Sequence, residues 1–237
     1  SQRTTDRLDP VLWGGAEAPG PLDREQLEAF DRDGFVMLDR WLDDETVAAC
    51  LSALDEAGRA PDVVGSERAV LEPDSAVVRS LFEVHRVSHY YAGLVADQRL
   101  AGVARQLLAD DVYIHQSRVN LKPALHGRAF PWHSDFETWH VEDGMPAMRA
   151  VSCSIALTEN HAWNGPLLLI AGSHRRYVAF GGRTPEDNYR SSLREQEYGV
   201  PDLAVLTDLH NGGDIATFAG AAGSVAFFDC NTMHGSP

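Results

Sequence analysis

Cysteine is scarce in this sequence, basic residues are outnumbered, and long apolar runs do not occur. Three cysteines, Cys50, Cys153 and Cys230, stand far apart among 237 residues. An odd number with no Cys-x-x-Cys spacing excludes a disulfide framework and predicts a reducing, cytoplasmic setting. Lysine and arginine total 20 against 35 aspartates and glutamates, a formal net charge of -15. Such a surface repels phosphate backbones and anionic lipid, so neither nucleic acid nor a membrane is an expected partner. No run of about 18 apolar residues is present to span a bilayer. The leading "SQRTTDRLDP" has no apolar core of a signal peptide. Internal repeats and low-complexity tracts are absent as well.

What remains is an ordinary globular balance, 44% hydrophobic and 23% charged. The length suits one domain with a sizeable core. The acidic surface is compatible with a monomer or a homodimer. Residues 1–20 read as an extended arm. "LDREQLEAFDRDG" (22–34) reads as a helix stopped by Gly34, and "FVMLDRW" (35–41) as a strand. In 43–58, Val47, Cys50, Leu51 and Leu54 recur at helical spacing, with Asp43 or Asp44 to cap the start and Gly58 the end. A further helix is expected near 97–109.

From residue 111 the pattern changes to short strands broken by Gly, Pro and Asn. The clearest are 111–122, 148–159, 165–174 and 223–235. Many short strands after a helical section predict a mainly β fold with flanking helices, a sandwich or jelly-roll barrel. The expected layout is one domain over 1–237, with 1–110 as arm and buttressing helices and 111–237 as the jelly-roll core. Residues 181–214 show no clear period and read as a long excursion over the barrel.

"FPWHSDFETWHVEDGMPAMRA" (130–150) concentrates imidazole, carboxylate and indole. His133 and Asp135 are two apart, so in an extended segment both face one side. A distant histidine would complete a two-histidine, one-carboxylate set. His234, after the apolar "GSVAFFDC", is the natural candidate. That set suits Fe(II) with open coordination positions, and zinc is the rival metal. Gln116, Arg118, Asn120 and Lys122 alternate onto one strand face, where amides and cations could meet an anion. A solvated strand edge explains Arg118 and Lys122 equally well. His85, His89, His126, His161 and His210 read as surface residues, and His174 as a structural hydrogen bonder. His140 is unassigned. Glu137, Glu142 and Asp143 read as rim charges or partners of Arg149, and Met145 and Met148 as core.

The 130–150 run resembles the signature of the ectoine hydroxylases. These form a branch of the phytanoyl-CoA-dioxygenase-like Fe(II)/2-oxoglutarate oxygenases. "YIHQSRVNLKP" (113–123), "NGPLLLIAGSH" (164–174), "QEYGVPD" (196–202) and "GSVAFFDCNTMHGS" (223–236) extend the likeness. It implies a double-stranded β-helix of the cupin-like jelly-roll kind. It implies iron on His133, Asp135 and His234, with 2-oxoglutarate and O2 as cosubstrates. Related halogenases carry a small residue where Asp135 stands, so a carboxylate there implies hydroxylation. The likeness puts 2-oxoglutarate against Asn120, Phe130, Ser152 and Ser236, with Lys122 nearby. It puts ectoine against Gln116, Thr138 and Trp139. The implied reaction converts ectoine to 5-hydroxyectoine with release of succinate and CO2, in the synthesis of an osmotic-stress solute. The family pattern also has an arginine shortly after the distal histidine. The sequence stops at Pro237 without one, so the barrel is expected to lack its C-terminal end.

Overall fold

The computed structural model describes residues 2–71, 78–121, 129–179 and 200–237. Helix α1 (Arg24–Asp33) starts with a reciprocal cap: Asp23 accepts from the Gln26 backbone N–H, and the Gln26 side chain accepts from the Asp23 N–H. It ends where Gly34 turns left-handed at φ 85, as the sequence predicts. Helix α2 (Asp44–Arg59) is capped by Asp43, which accepts from Thr46 N–H at 2.7 Å. Its buried stripe is Val47, Cys50, Ala53 and Ala57, whereas Leu51 is 40% exposed. Val47, Cys50 and Leu54 of the expected stripe do face the core, and only Leu51 departs from it. The end of the helix also differs from the Gly58 expectation. Ala60, pushed to extended backbone by the following Pro61, stops it and a short helix α3 (Pro61–Val64) begins.

Helices α4 (Val84–Val87) and α5 (His89–Leu94) follow, then a π turn at Gln98–Gly102 that runs into α6 (Val103–Leu108). The helix expected near 97–109 is thus two segments. Leu27, Phe30, Cys50, Leu100, Val103 and Leu107 form one buried cluster with Val225 and Phe227.

Those last two residues belong to β11 (Val225–Asp229), buried along its whole length. It lies between β2 (Phe35–Leu38) and β7 (Val151–Ile155) in an antiparallel sheet. A second antiparallel sheet runs β10 (Ile215–Thr217), β8 (Leu168–Ile170), β12 (His234–Ser236) and β6 (Phe130–His133). Strand alternation sends Val225 and Phe227 to the helices, and Ala226 and Phe228 the other way. Ala226 joins Ala156, Phe218, Met37 and Leu167 in a separate cluster. Phe228 faces His234, ring centroids 4.8 Å apart. The two sheets with helices packed on one of them are the jelly-roll core that the sequence predicts.

Two smaller sheets flank it. One is β3 (Ala69–Leu71), β4 (Val78–Phe82) and β5 (Arg118–Asn120); the other pairs β1 (Arg3–Asp6) with β9 (Arg176–Ala179). The long strand expected over 111–122 shrinks to β5, because only 118–120 find a partner strand in β4. Helix α7 (Asp135–Glu142) occupies much of the signature run. Helix α8 (Leu203–Gly212), capped by Asp202, lies inside the stretch 181–214 that reads as a long excursion without a clear period. Its apolar face, Val205, Leu206 and Leu209, packs on Ile170 and Met233. Residues 180–199 fall outside the described part.

Candidate metal centre

His133 closes β6 and Asp135 opens α7, with Ser134 as the helix cap. The expectation of one extended segment is corrected here. The two side chains converge across a strand-to-helix junction, not by strand alternation. The third member arrives by register: His234 of β12 stands directly opposite His133 of β6. Their rings are 4.2 Å apart.

The donor atoms form a cluster with all separations within 4.8 Å. Asp135 Oδ1 lies 3.9 Å from His133 Nε2 and 3.7 Å from His234 Nε2. These gaps are too wide for hydrogen bonds, yet small enough for one cation to touch all three. Each histidine also has its other nitrogen occupied. His133 Nδ1 is 2.7 Å from Pro131 O, and His234 Nδ1 is 2.9 Å from Thr232 O. A carbonyl can only accept, so Nδ1 carries the proton and the Nε2 lone pair faces the carboxylate. Burial pushes the His133 pKa down to about 3, reinforced by His234 and opposed by Asp135. The ring is neutral, as a metal ligand must be. Burial works against ionising Asp135, but the two histidines, the Ser152 hydroxyl and Arg118 outweigh it and lower its pKa. Ser152 Oγ donates to Asp135 Oδ2 at 2.6 Å, which leaves Oδ1 for a cation. Two neutral imidazoles and a carboxylate fit a divalent transition metal.

Around this cluster Phe130 sits under two guanidinium groups, Arg79 at 4.6 Å and Arg118 at 5.9 Å from its ring centroid. Arg118 projects from β5 toward the site, reachable by solvent yet enclosed by protein. Enclosure lowers its pKa, with Asp135 opposing and Arg79 adding to the effect. Asn120, also on β5, accepts from Ser80 Oγ at 2.8 Å. Ser236 is paired opposite Phe130 in the β12–β6 ladder. Lys122 lies outside the described residues. Gln116 is exposed in the segment ahead of β5 and so is not on a strand face with Arg118 and Asn120.

Thr138 and Trp139 lie three and four residues beyond Asp135 in α7, hence on the face of the helix that carries the carboxylate. The Trp139 indole meets His115 edge-on at 5.0 Å, and His115 Nε2 is 3.0 Å from Asp143 Oδ2. His140 Nδ1 bonds to Met145 O, and its ring stacks on Phe136.

The phytanoyl-CoA dioxygenase (PhyH) profile matches residues 30–237. The chain belongs to the phytanoyl-CoA dioxygenase family. It is 53% identical over 230 residues to the ectoine dioxygenase of Bordetella bronchiseptica, covering 97% of this chain and 75% of that one. It is 48% identical over 232 residues to the ectoine dioxygenase of Streptomyces coelicolor, covering 98% and 78%. The crystal structure of EctD from S. alaskensis with 2-oxoglutarate and 5-hydroxyectoine superposes with a TM-score of 0.88 at 44% identity, covering 100% of this chain and 77% of that one. The 2-oxoglutarate-dependent carbocyclase SnoK shares the fold at a TM-score of 0.69 and 19% identity.

Four features of the phytanoyl-CoA dioxygenase centre and its surroundings differ from the sequence expectations. Arg79 is a lone cation in the apolar run "AVVRSLF", 5% exposed, a pattern that could have flagged it. Glu137, read as a rim charge, is 7% exposed; burial raises its pKa to about 7, Glu142 adds to this and His140 opposes it. Arg149, expected to pair with those acids, instead pairs with Asp110 and donates to Leu108 O. Asp143 pairs with His115, which no local pattern announces. Of the histidines read as surface, His89 and His210 are exposed, His85 and His161 are partly covered, and His126 lies outside the described residues. His174 is fully buried, its Nε2 3.1 Å from Asp31 O, in agreement with a structural role. Met148 is buried and Met145 partly so, as expected.

Proposed function

We propose that this chain is an Fe(II)- and 2-oxoglutarate-dependent oxygenase that hydroxylates ectoine to 5-hydroxyectoine with release of succinate and CO2. The observation that carries the reading is the His133–Asp135–His234 cluster, set in a fold that superposes on EctD with 2-oxoglutarate and 5-hydroxyectoine. The three residues hold the iron, and 1–237 acts as one oxygenase domain. When bound, Fe(II) supplies a centre with open positions where 2-oxoglutarate and O2 react, one oxygen atom going to succinate and one to the ring.

The protein's own side chains supply placement. Ser152 fixes the Asp135 carboxylate by its hydrogen bond to Oδ2. Pro131 and Thr232 carbonyls fix the two imidazoles. The dianionic cosubstrate finds the cations Arg79 and Arg118 flanking Phe130, the Asn120 amide and the Ser236 hydroxyl. Ectoine carries a cationic amidinium ring, which suits the face of Trp139 one helical turn from Asp135; Thr138 and Gln116 provide hydrogen bonds. Nothing in this scheme asks Glu137 or Glu142 to act as a base. Among the described residues no helix is long and apolar enough to cross a membrane.

The test is anaerobic loading with Fe(II), then addition of 2-oxoglutarate, O2 and ectoine. Succinate and an oxygen-bearing ectoine in equal amounts are expected, and neither from Asp135→Ala. Succinate formation that ectoine does not stimulate, but another small zwitterion does, would move the assignment to that substrate.

A further inference from the structure

One residue of the N-terminal arm grips the turn that leads into His234. Arg7 follows β1, and its side chain is 3% exposed. All three guanidinium nitrogens are engaged. Nη1 donates to Asp229 Oδ1 at 2.7 Å and more weakly to His174 O at 3.5 Å. Nη2 donates to Met148 O at 3.0 Å and Pro10 O at 2.7 Å, and Nε to Asp9 O at 2.8 Å. A buried arginine spent on one carboxylate and four carbonyls is an organising centre for backbone.

The backbone it organises is the turn between β11 and β12, Asp229 to Met233. Asp229 Oδ1, held by Arg7, also accepts from Asn231 N–H at 2.8 Å. The Asn231 amide donates to His174 O and Arg176 O, the latter on the strand that pairs with the arm. Cys230 O receives Phe136 N–H at 2.8 Å, one residue after Asp135. Met233 O receives Ile170 N–H, and the next residue is His234. One five-residue turn therefore sets both the start of the helix bearing Asp135 and the entry of His234. Burial raises the Asp229 pKa, and Arg7 is the first influence opposing it. Losing Arg7 would leave this carboxylate to take up a proton or draw in water. A cleft of about 320 Å³ opens beside the arm, lined by Arg7, Asp9, Asp31 and Arg175. Arg7 is paired with Asp229 and Arg175 with Asp31, and Asp9 Oδ2 accepts from Met148 N–H, so each charged side chain lining the cleft already has a partner.

We propose that Arg7 is a positioning residue for the metal centre, and that docking of the N-terminal arm and binding of the metal strengthen each other. The inference rests on His133, Asp135 and His234 holding the metal. Coupling of this kind is reciprocal: whatever the docked arm adds to metal affinity, the metal adds to arm docking. Outer-shell groups of metal sites are typically worth about 10- to 100-fold in affinity, which sets the expected size.

The experiment uses Mn(II) as probe, its free-ion spin-resonance signal giving affinity without turnover. Parent, Arg7→Met, Arg7→Lys and Arg24→Ala proteins are titrated below their melting temperatures. Arg24 forms only exposed ion pairs, so its variant should bind like the parent. Arg7→Met should bind about 10- to 100-fold more weakly, and Arg7→Lys, which keeps the charge without the planar fork, should fall between. Hydrogen exchange on the parent gives an independent reading: Mn(II) should slow exchange of the β1 amides. A folded Arg7→Met within twofold of parent affinity overturns the proposal, because a purely structural arginine would lower the melting temperature alone. Should Arg7→Met fail to fold, unchanged β1 exchange on metal binding overturns it. A parent that binds no Mn(II) removes the metal-centre reading and this inference together.

Discussion

Gly34→Ala is the substitution whose consequences the structure makes most calculable. Gly34 ends α1 at φ 85, in the left-handed region. A Cβ there costs about 1–2 kcal/mol in backbone strain alone. It would also stand 2.4 Å from His174 Nδ1 and 2.8 Å from Thr232 Oγ1. Both neighbours are fully buried, so neither can swing into solvent. Overpacking a closed site of this kind adds about 1–3 kcal/mol. The sum is about 2–5 kcal/mol, or roughly 4–20 °C of melting temperature for a domain of this size. The effect should reach the site, since Gly34 O accepts from Asp229 N–H and Thr232 Oγ1 in the turn ahead of His234. Gly15→Ala is the matched comparison: φ is 72, but nothing lies within 4 Å of its Cβ. It should lose only the strain, about 1–2 kcal/mol. The assay is thermal unfolding of the three proteins with and without Mn(II). Equal losses for the two variants would refute the argument that His174 and Thr232 form a rigid wall.

Other outcomes follow from the same contacts. Burial pushes the His174 pKa down to about 4, so the unfolded chain binds that proton first. Stability should therefore fall as pH drops from about 6.5 to 4, by up to about 3 kcal/mol, and His174→Gln should flatten this dependence in pH-resolved melts; an unchanged slope would remove His174 as its source. Glu137 is the opposite case, with its folded pKa raised to about 7. It disfavours the fold increasingly as pH rises from about 4.3 to 7, so Glu137→Gln should gain more melting temperature at pH 8 than at pH 5. Trp139→Ala should raise KM for ectoine about 2- to 30-fold from the lost cation–π contact, with KM for 2-oxoglutarate little changed. A parallel rise in both constants in steady-state assays would place the indole elsewhere.

Legibility in the sequence varied with the range of the interaction. Capping is local, so the Asp23 and Asp43 starts and the Gly34 stop were readable from neighbours in the chain. Strand β11 was readable because Val225 to Phe228 form an unbroken apolar run, as a strand buried on both faces requires; the buried Asp229 that ends it was not. In α2 the residues Val47, Cys50 and Leu54 were readable, but Leu51 is exposed while Ala53 and Ala57 are buried, a distinction that only packing shows. Helix α8 was missed because its apolar residues face a small satellite cluster, Ile170 and Met233, and not the main core. The run 111–117 has strand-like composition but finds no partner strand, and pairing, not propensity, makes a strand.

The site divides in the same way. His133, Asp135 and His234 were identifiable by residue type and spacing, although the geometry joining the first two is a strand-to-helix junction. Their ligand set, the acidic surface, the helix caps and the apolar strands are properties of the chain read in order. The opposition of His234 to His133, the hydroxyl of Ser152 on Asp135, the stacking of Arg79 and Arg118 on Phe130, and the grip of Arg7 on Asp229 are not. These pair residues up to 222 positions apart, and a local pattern carries no information about which distant group closes a hydrogen bond. Sequence alone determined which atoms were available to a metal; only the folded sheets decided where their lone pairs point and what holds them there.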